Sequence, residues 1–183
     1  MEELNMSTTA YTIRRGSLVW LTMTALFMGM NIILSLSIFS VPVPGGHLYF
    51  CDAVINTAAM LLDPFAAFLV GGVGSFLGDF FFYPAPMFVS LVTHGLQAVV
   101  VSLISRRLLF RRQAVSSVLA VTVGAVIMVI GYTLGRAYVY STPEYAILKL
   151  PFEILQAGVG AVVSVLLLYP MGLKRIFERM LRH

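Results

Sequence analysis

Charge is scarce in this chain. Only 11% of its 183 residues are charged and 59% are hydrophobic, against roughly 25% charged in an ordinary soluble domain. So few ionic side chains cannot cover a soluble surface of this length, which excludes a water-soluble enzyme or binding module. The chain reads as an integral membrane protein. Cysteine is almost missing as well. The lone Cys51 excludes an intrachain disulfide and any multi-cysteine metal site, and it reads as a small apolar filler near a helix end. Catalytic signatures are also lacking: there is no H-E-x-x-H, no G-x-S-x-G and no ATP-binding loop. No cofactor or metal is therefore expected in the chain itself, and energy must come from a partner or a gradient.

Long apolar runs are what the sequence has in abundance. Residues 1–16 are polar and end in Arg14-Arg15. The run from Leu18 to Phe39 is too long for a signal-peptide core and lacks a small-x-small cleavage site, so it is predicted to stay as a first span. The prolines and glycines of Val41–His47 break any helix and make a loop. Asp52–Leu62 is short for a span, which takes about 20 residues. Asp63-Pro64 separates it from Phe65–Phe82, whose Gly71, Gly74 and Gly78 recur at spacings of three and four. That spacing predicts one small-residue face for close helix packing. Further spans are predicted over Pro86–Ile104, Ala114–Tyr138 and Leu150–Leu168.

Basic residues set the orientation. Ten of the twelve Lys and Arg fall in three places: Arg14 and Arg15; Arg106, Arg107, Arg111 and Arg112; and Lys174, Arg175, Arg179 and Arg182. Six spans put all three on one side, the cytoplasm. The expectation is an all-α bundle of six transmembrane helices forming a single transmembrane domain over 1–183. Residues 1–16 and the basic tail 174–183 are both cytoplasmic. The net charge of +4 thus reflects topology and no nucleic-acid partner.

Polar side chains inside apolar helices are costly, so they are functional candidates by default. Asp52 and Asn56, at i and i+4, share a face at the outer end of span two. Asp79 lies just inside the outer end of span three. His94 and Gln97 sit in the outer half of span four, and Tyr132 and Arg136 near the outer end of span five. Glu153 and Gln156 open span six, and Asn31 lies about two turns below the outer end of span one. The outer loops Val41–Phe50, Tyr83–Pro86 and Tyr140–Lys149 add His47, Tyr49 and Tyr83 as candidates, with Tyr140, Glu144 and Tyr145 alongside. Nearly every such group falls in the outer half, above an inner half of Leu, Val and Met. That segregation predicts a polar cavity open to the outside rather than a conduit.

Each residue also has a structural alternative. Asp52 is a possible helix cap, and Asp79 a partner for Arg136 in an ion pair. His94 suits a backbone carbonyl, and Gln97 and Gln156 suit interhelical bonding. Glu153, following Pro151, is favoured by the first-turn dipole. Arg136 and Lys149 can snorkel to headgroups, and the loop aromatics can form an interfacial belt.

Four stretches carry a resemblance to a known family: Tyr49-Phe-Cys-Asp-Ala-Val-Ile-Asn56, Leu61 to Ser75 around Asp63-Pro64 and Gly71-Gly72-Val-Gly74-Ser75, His94-Gly-Leu-Gln-Ala98, and Gly131-Tyr-Thr-Leu-Gly135. Over about residues 17–175 the chain resembles the substrate-binding S components of energy-coupling factor (ECF) vitamin transporters. The resemblance implies capture of a vitamin or precursor from outside, then toppling in the membrane. It implies delivery through an energising module of a transmembrane T subunit and two ATPases that use the ATP. It places the ligand in the outer loops and the outer halves of spans four to six. It puts T-subunit contact on a small-xxx-small pattern of span one, here Ala25-Leu-Phe-Met-Gly29. The nearest branch carries hydroxymethylpyrimidine, pyridoxine and related small rings. Two other classes compete: an intramembrane enzyme using His94, Asp79 and Ser75 or Ser90, and a small channel or secondary transporter, which would need polar steps through the midplane.

Overall fold

A computed structural model describes residues 15–36, 39–107 and 113–180. Arg14, Arg111, Arg112 and Arg182, which carry part of the orientation argument, lie outside the described residues, as do the rest of 1–14 and 181–183. Seven helices and one hairpin make up the described chain: α1 (Leu18–Leu34), β1 (Val41–Val43), β2 (Gly46–Leu48), α2 (Cys51–Leu61), α3 (Pro64–Phe82), α4 (Met87–Arg107), α5 (Gln113–Tyr140), α6 (Pro143–Leu168) and α7 (Leu173–Met180). Four of them, α3 to α6, are long and apolar enough to cross a membrane, whereas α1 and α2 are shorter apolar helices.

Local chemistry sets the boundaries. The Ser17 hydroxyl caps α1 by accepting from the Trp20 amide. The predicted first span runs on to Phe39, but the helix stops at Leu34. There the Ser35 hydroxyl and amide both donate to the Asn31 carbonyl, and the following amides tighten into i→i+3 bonds. The loop predicted over Val41–Phe50 contains an antiparallel hairpin, pairing Val41 with Leu48 and Val43 with Gly46, so the bundle is not purely α. Pro44-Gly45 makes its turn, with Gly45 at φ +82°, a position that a type II turn reserves for glycine.

Helix α2, only 11 residues long, is enclosed by the rest of the protein. Its buried positions include Val54, Ile55, Ala58 and Ala59, packed among α1, α4 and α6 at the centre of the core. At its carboxyl end Ser102 Oγ and Arg106 Nη2 donate to the carbonyls of Leu62 and Leu61 at 2.8 and 2.9 Å. Asp63 then caps α3, accepting from the Phe65 amide at 3.0 Å, and Pro64 occupies the first turn.

Helix α3 departs from a regular α-helix. Its turn Leu69–Val73 is wound as a π-helix, and that extra residue rotates the glycine face. Gly71 abuts the His94 carbonyl and Ala98 of α4, whereas Gly74 and Gly78 abut Asn31 and Ser35 of α1. The single small-residue face predicted from the spacing is therefore two faces, one for each neighbour. The third outer loop, predicted over Tyr140–Lys149, is mostly helix. A π-wound turn carries α5 through Tyr140, and α6 begins at Pro143, with Pro151 inside it. Glu153 accordingly sits in the third turn of α6, not the first.

Contacts at the two ends fix the alternation of the helices. At one end Arg15 binds Asp63 at 2.9 Å, Lys174 reaches Gln113, and Tyr169 meets Ser117 at 2.8 Å. At the other end the hairpin lies over α5 and α6, where Arg136 and Lys149 donate to the carbonyls of Gly45 and His47. Arg15, Arg106 and Lys174 of the orientation argument thus share one end, opposite the hairpin. Partial burial alone would raise the Asp63 pKa. The bonds from the Trp20 indole and Arg15, with that of the Phe65 amide, outweigh it and hold the carboxyl below its ordinary 3.8.

Candidate ligand-binding site

A cavity of about 260 Å³ opens beneath the hairpin. Every long element lends it an end. The hairpin supplies Gly46 and His47, and the segment behind it Tyr49. Helix α3 brings Ser75, Asp79 and Phe82, with Tyr83 after it. His94 comes from α4; Met128, Tyr132, Arg136 and Tyr140 come from α5; Lys149, Glu153 and Gln156 come from α6. Nine of the residues singled out from sequence line this cavity: His47, Tyr49, Asp79, Tyr83, His94, Tyr132, Arg136, Glu153 and Gln156. The carboxylates and the imidazole converge inside the bundle. His94 and Glu153 are each only 2% exposed, where an isolated charge or orphan polar group would be costly.

Three further candidates lie under the cavity rather than in its lining. Gln97 Nε2 donates to Asp52 Oδ1 at 3.1 Å and to Asn56 Oδ1 at 3.2 Å, while Gln97 Oε1 meets His94 Nδ1 at 2.7 Å. Gln156 Nε2 donates to Asp52 Oδ2 at 2.8 Å, and its Oε1 accepts from the Tyr49 amide at 3.0 Å. Asp52 is no helix cap. It sits inside the first turn of α2, where the helix dipole favours its charge, and both oxygens accept side-chain amides. His94 bonds Gln97 instead of a backbone carbonyl. The base of the cavity is thus an amide–carboxylate network with Met128 beside it, not the greasy floor expected.

Asn31 stands apart. Its Nδ2 donates to the Val70 carbonyl at 2.7 Å and to Ser75 Oγ at 3.1 Å, tying α1 to the π-wound turn of α3. Such a turn withdraws a carbonyl from regular pairing, and Asn31 supplies the donor. Its place is in the packing of the bundle, outside the cavity lining.

The charged wall also differs from the ion pair considered above. Arg136 pairs with Glu153 at 3.2 Å, not with Asp79, and lies over the Tyr140 ring at 5.2 Å. Asp79 instead accepts from Ser90, which in turn touches Tyr132. Lys149 is 2% exposed and faces the hairpin, so it does not snorkel to headgroups. Burial first, then the nearby Asp79, pushes the Tyr49 phenol up to about 12, so Tyr49 stays a neutral donor. Several buried atoms have no hydrogen-bond partner among the described residues: Arg136 Nε, Tyr140 Oη and Glu153 Oε2 on the wall, and Asn56 Nδ2 below.

Sequence reasoning left Lys149, Tyr140, Cys51 and Met128 out of the candidate set. Placing Tyr140 and Lys149 in a loop hid the first two, although Lys149 and Glu153 stand at i and i+4, a spacing that marks one helical face. A second omission is the cluster of Cys51, Asp52 and His94, whose donor atoms lie within 4.8 Å of one another. The lone cysteine ruled out only multi-cysteine sites. Ligands of one tetrahedral ion stand about 3.5 Å apart, so this cluster would have to contract to hold one.

The half away from the hairpin is not featureless either. Thr24, Thr57, Ser102 and Ser116 are buried there, but each hydroxyl donates to a backbone carbonyl. The buried Asp52, Asn56, His94, Gln97, Glu153 and Gln156 gather at the hairpin end, whereas Asp63, Gln113 and Glu178 at the opposite end are not buried.

Comparison with known proteins accords with this geometry. A protein of Pyrococcus woesei described as "Uncharacterized protein in gap 3'region" is 33% identical over 127 residues, 68% of this chain and 82% of the relative. The sequence model of the family described as "ECF-type riboflavin transporter, S component" matches residues 16–175. With four membrane-length helices and that match over most of its length, the chain is a multi-pass membrane protein and belongs to the family of ECF transporter S components, the vitamin-binding subunits of these transporters.

Proposed function

We propose that this S component binds a compact, single-ring heteroaromatic vitamin or precursor, of the hydroxymethylpyrimidine or pyridoxine kind, in the cavity under the hairpin. It does so with six spans in the cell membrane and both termini in the cytoplasm. It then topples to deliver the ligand to a T subunit driven by two ATPases. One observation carries the reading: Arg136 Nε, Tyr140 Oη and Glu153 Oε2, on residues that line the cavity, are buried without a hydrogen-bond partner among the described residues. An unpaired buried polar group costs about 1–3 kcal/mol, and a polar ligand would relieve several at once. The volume of about 260 Å³ falls just under the roughly 300–1,000 Å³ of most small-molecule pockets, which favours a small ring. Riboflavin is the second reading, on the wording of the family description; its larger ring system would need the hairpin to lift. A channel is less well supported, because Thr24, Thr57, Ser102 and Ser116 of the opposite half give their hydroxyl protons to backbone carbonyls.

On α1, Ala25 is exposed, and a side chain added at Gly29 would meet open space. That outward face supports the T-subunit contact at Ala25 and Gly29. Native mass spectrometry of the purified protein, followed by thermal-shift titration with hydroxymethylpyrimidine, pyridoxine and riboflavin, tests the ligand. His94→Ala and Glu153→Ala should each weaken the ligand found by about 10- to 100-fold, the cost of one unpaired buried group. Unchanged affinity in both would remove the cavity as the binding site.

A further inference from the structure

The hydrogen bonds beneath the cavity have a direction that can be followed from a fixed starting point. A backbone amide can only donate, so the Tyr49 N–H makes Gln156 Oε1 the acceptor. Gln156 then presents its NH₂ to Asp52, whose Oδ2 accepts. The other Asp52 oxygen and Asn56 Oδ1 use both protons of Gln97 Nε2. Gln97 is left with only its carbonyl oxygen to offer His94 at 2.7 Å, so the proton of that bond sits on Nδ1. In the neutral imidazole Nε2 therefore carries a lone pair, and it makes no hydrogen bond among the described residues.

A second chain has the same sense. Ser90 gives its proton to Asp79 Oδ2. Its contact with Tyr132 must then be one in which the phenol donates, and the Tyr132 proton is spent inside the protein. His94 and Tyr132 stand 5.1 Å apart, ring centre to ring centre, with Asp79 linked to Tyr132 through Ser90. All three line the cavity. What they have left to offer is His94 Nε2, the Tyr132 oxygen lone pairs and Asp79 Oδ1. Arg136 and Lys149, which also line the cavity, only donate.

We infer that the face formed by His94, Tyr132 and Asp79 accepts hydrogen bonds from the ligand, and that Gln97 is the positioning residue that fixes the polarity of His94. The ligand accordingly turns an amino, ring N–H or hydroxyl edge towards this face and an acceptor edge towards Arg136. The inference rests on the cavity being the ligand site, as proposed above, but half of its test does not.

That half is nitrogen NMR of ¹⁵N-histidine-labelled full chain in lipid nanodiscs at pH 8, where an ordinary imidazole is neutral and an ordinary carboxyl ionised. His94, assigned by the signal lost in His94→Gln, is expected with Nδ1 protonated and Nε2 bare. Gln97→Met, close in volume but with no donor and only a weak thioether acceptor, should spread the proton over both nitrogens. The other half titrates the same nanodiscs with 4-amino-5-hydroxymethyl-2-methylpyrimidine and with the analogue in which methyl replaces the amino group. The amino compound should bind about 10- to 100-fold more tightly, and Gln97→Met should narrow the gap. A wild-type His94 protonated on Nε2, or equal affinities for the two probes, overturns the inference. Binding of neither probe with His94 in the assigned form upholds the polarity and removes the substrate class proposed above. Where Gln97→Met does not fold, the wild-type spectrum and the probe pair still decide.

Discussion

Adding one methyl group at Gly160 should disable the cavity without touching it. Gly160 lies on α6 directly against α2. A Cβ there would stand 2.4 Å from the Asp52 Cβ, about 1 Å inside ordinary contact, and 3.2 Å from its carbonyl carbon. Neither partner is the loose end of a flexible side chain, so the backbones of α2 and α6 have to part. Overpacking of this kind costs about 1–3 kcal/mol. The displacement also falls on Asp52, whose bonds from Gln156 and Gln97 are 2.8 and 3.1 Å long; 1 Å of movement takes both beyond hydrogen-bonding range. Gly158→Ala is the matched control, two residues away on the same helix, because its Cβ would meet nothing within 4 Å. That substitution gains up to about 1 kcal/mol of helix propensity. Thermal unfolding in detergent, followed by the emission of the single tryptophan, should show Gly160→Ala melting lower by roughly 2–10 °C and Gly158→Ala unchanged or higher. Ligand affinity should fall at least about tenfold in the first, through lost bonds to a buried charge, and hold in the second. Equal melting of Gly160→Ala and wild type, or equal damage from the two alanines, would refute the close-approach argument.

Trp20, the only tryptophan, donates its indole proton to Asp63, so its fluorescence should report protonation of that carboxyl. The folded pKa is depressed, so the contribution of Asp63 to stability is present above pH 3.8 and is lost as pH falls through the lower folded value. The emission midpoint is expected below 3.8 and should rise in Arg15→Gln; a midpoint above about 4.5 contradicts the clamp. Arg136→Gln removes the bond to the Gly45 carbonyl and the pairing with Glu153, so hydrogen exchange should quicken over 41–48 and leave α2 unchanged. Equal exchange in both proteins would mean that Arg136 does not hold the hairpin down. Ala25→Leu should abolish vitamin uptake by cells while purified protein binds normally, because bulk on the outward face of α1 blocks helix contact; normal uptake refutes the docking role.

Much of the site could be read from sequence because the membrane sharpens the signal. Where hydrocarbon makes each polar side chain expensive, the few that remain mark their end of the bundle: Asp79, His94, Tyr132, Arg136, Glu153 and Gln156 of the lining were found that way, and His47, Tyr49 and Tyr83 from the outer loops. Connectivity was less legible, for physical reasons. Arg136 had two carboxylates at similar depth, and depth alone cannot choose between Glu153 and Asp79; the close packing of α5 on α6 does. Asn31 was placed at the right level but assigned to the cavity, because a π-wound turn in α3 leaves no trace in residue spacing. The same turn split a glycine face that an ideal α-helix would have kept whole. Lys149 was misjudged through a helix start. Thr142-Pro143 has the marks of a helix start as well as of a loop, and the overlying hairpin carbonyl of His47, which the sequence does not reveal, gives the buried Lys149 amine a partner. What sequence cannot carry is the direction of a hydrogen bond. Gln97 has a donor and an acceptor of nearly equal shape, and its orientation follows only once Asp52, Asn56 and His94 surround it.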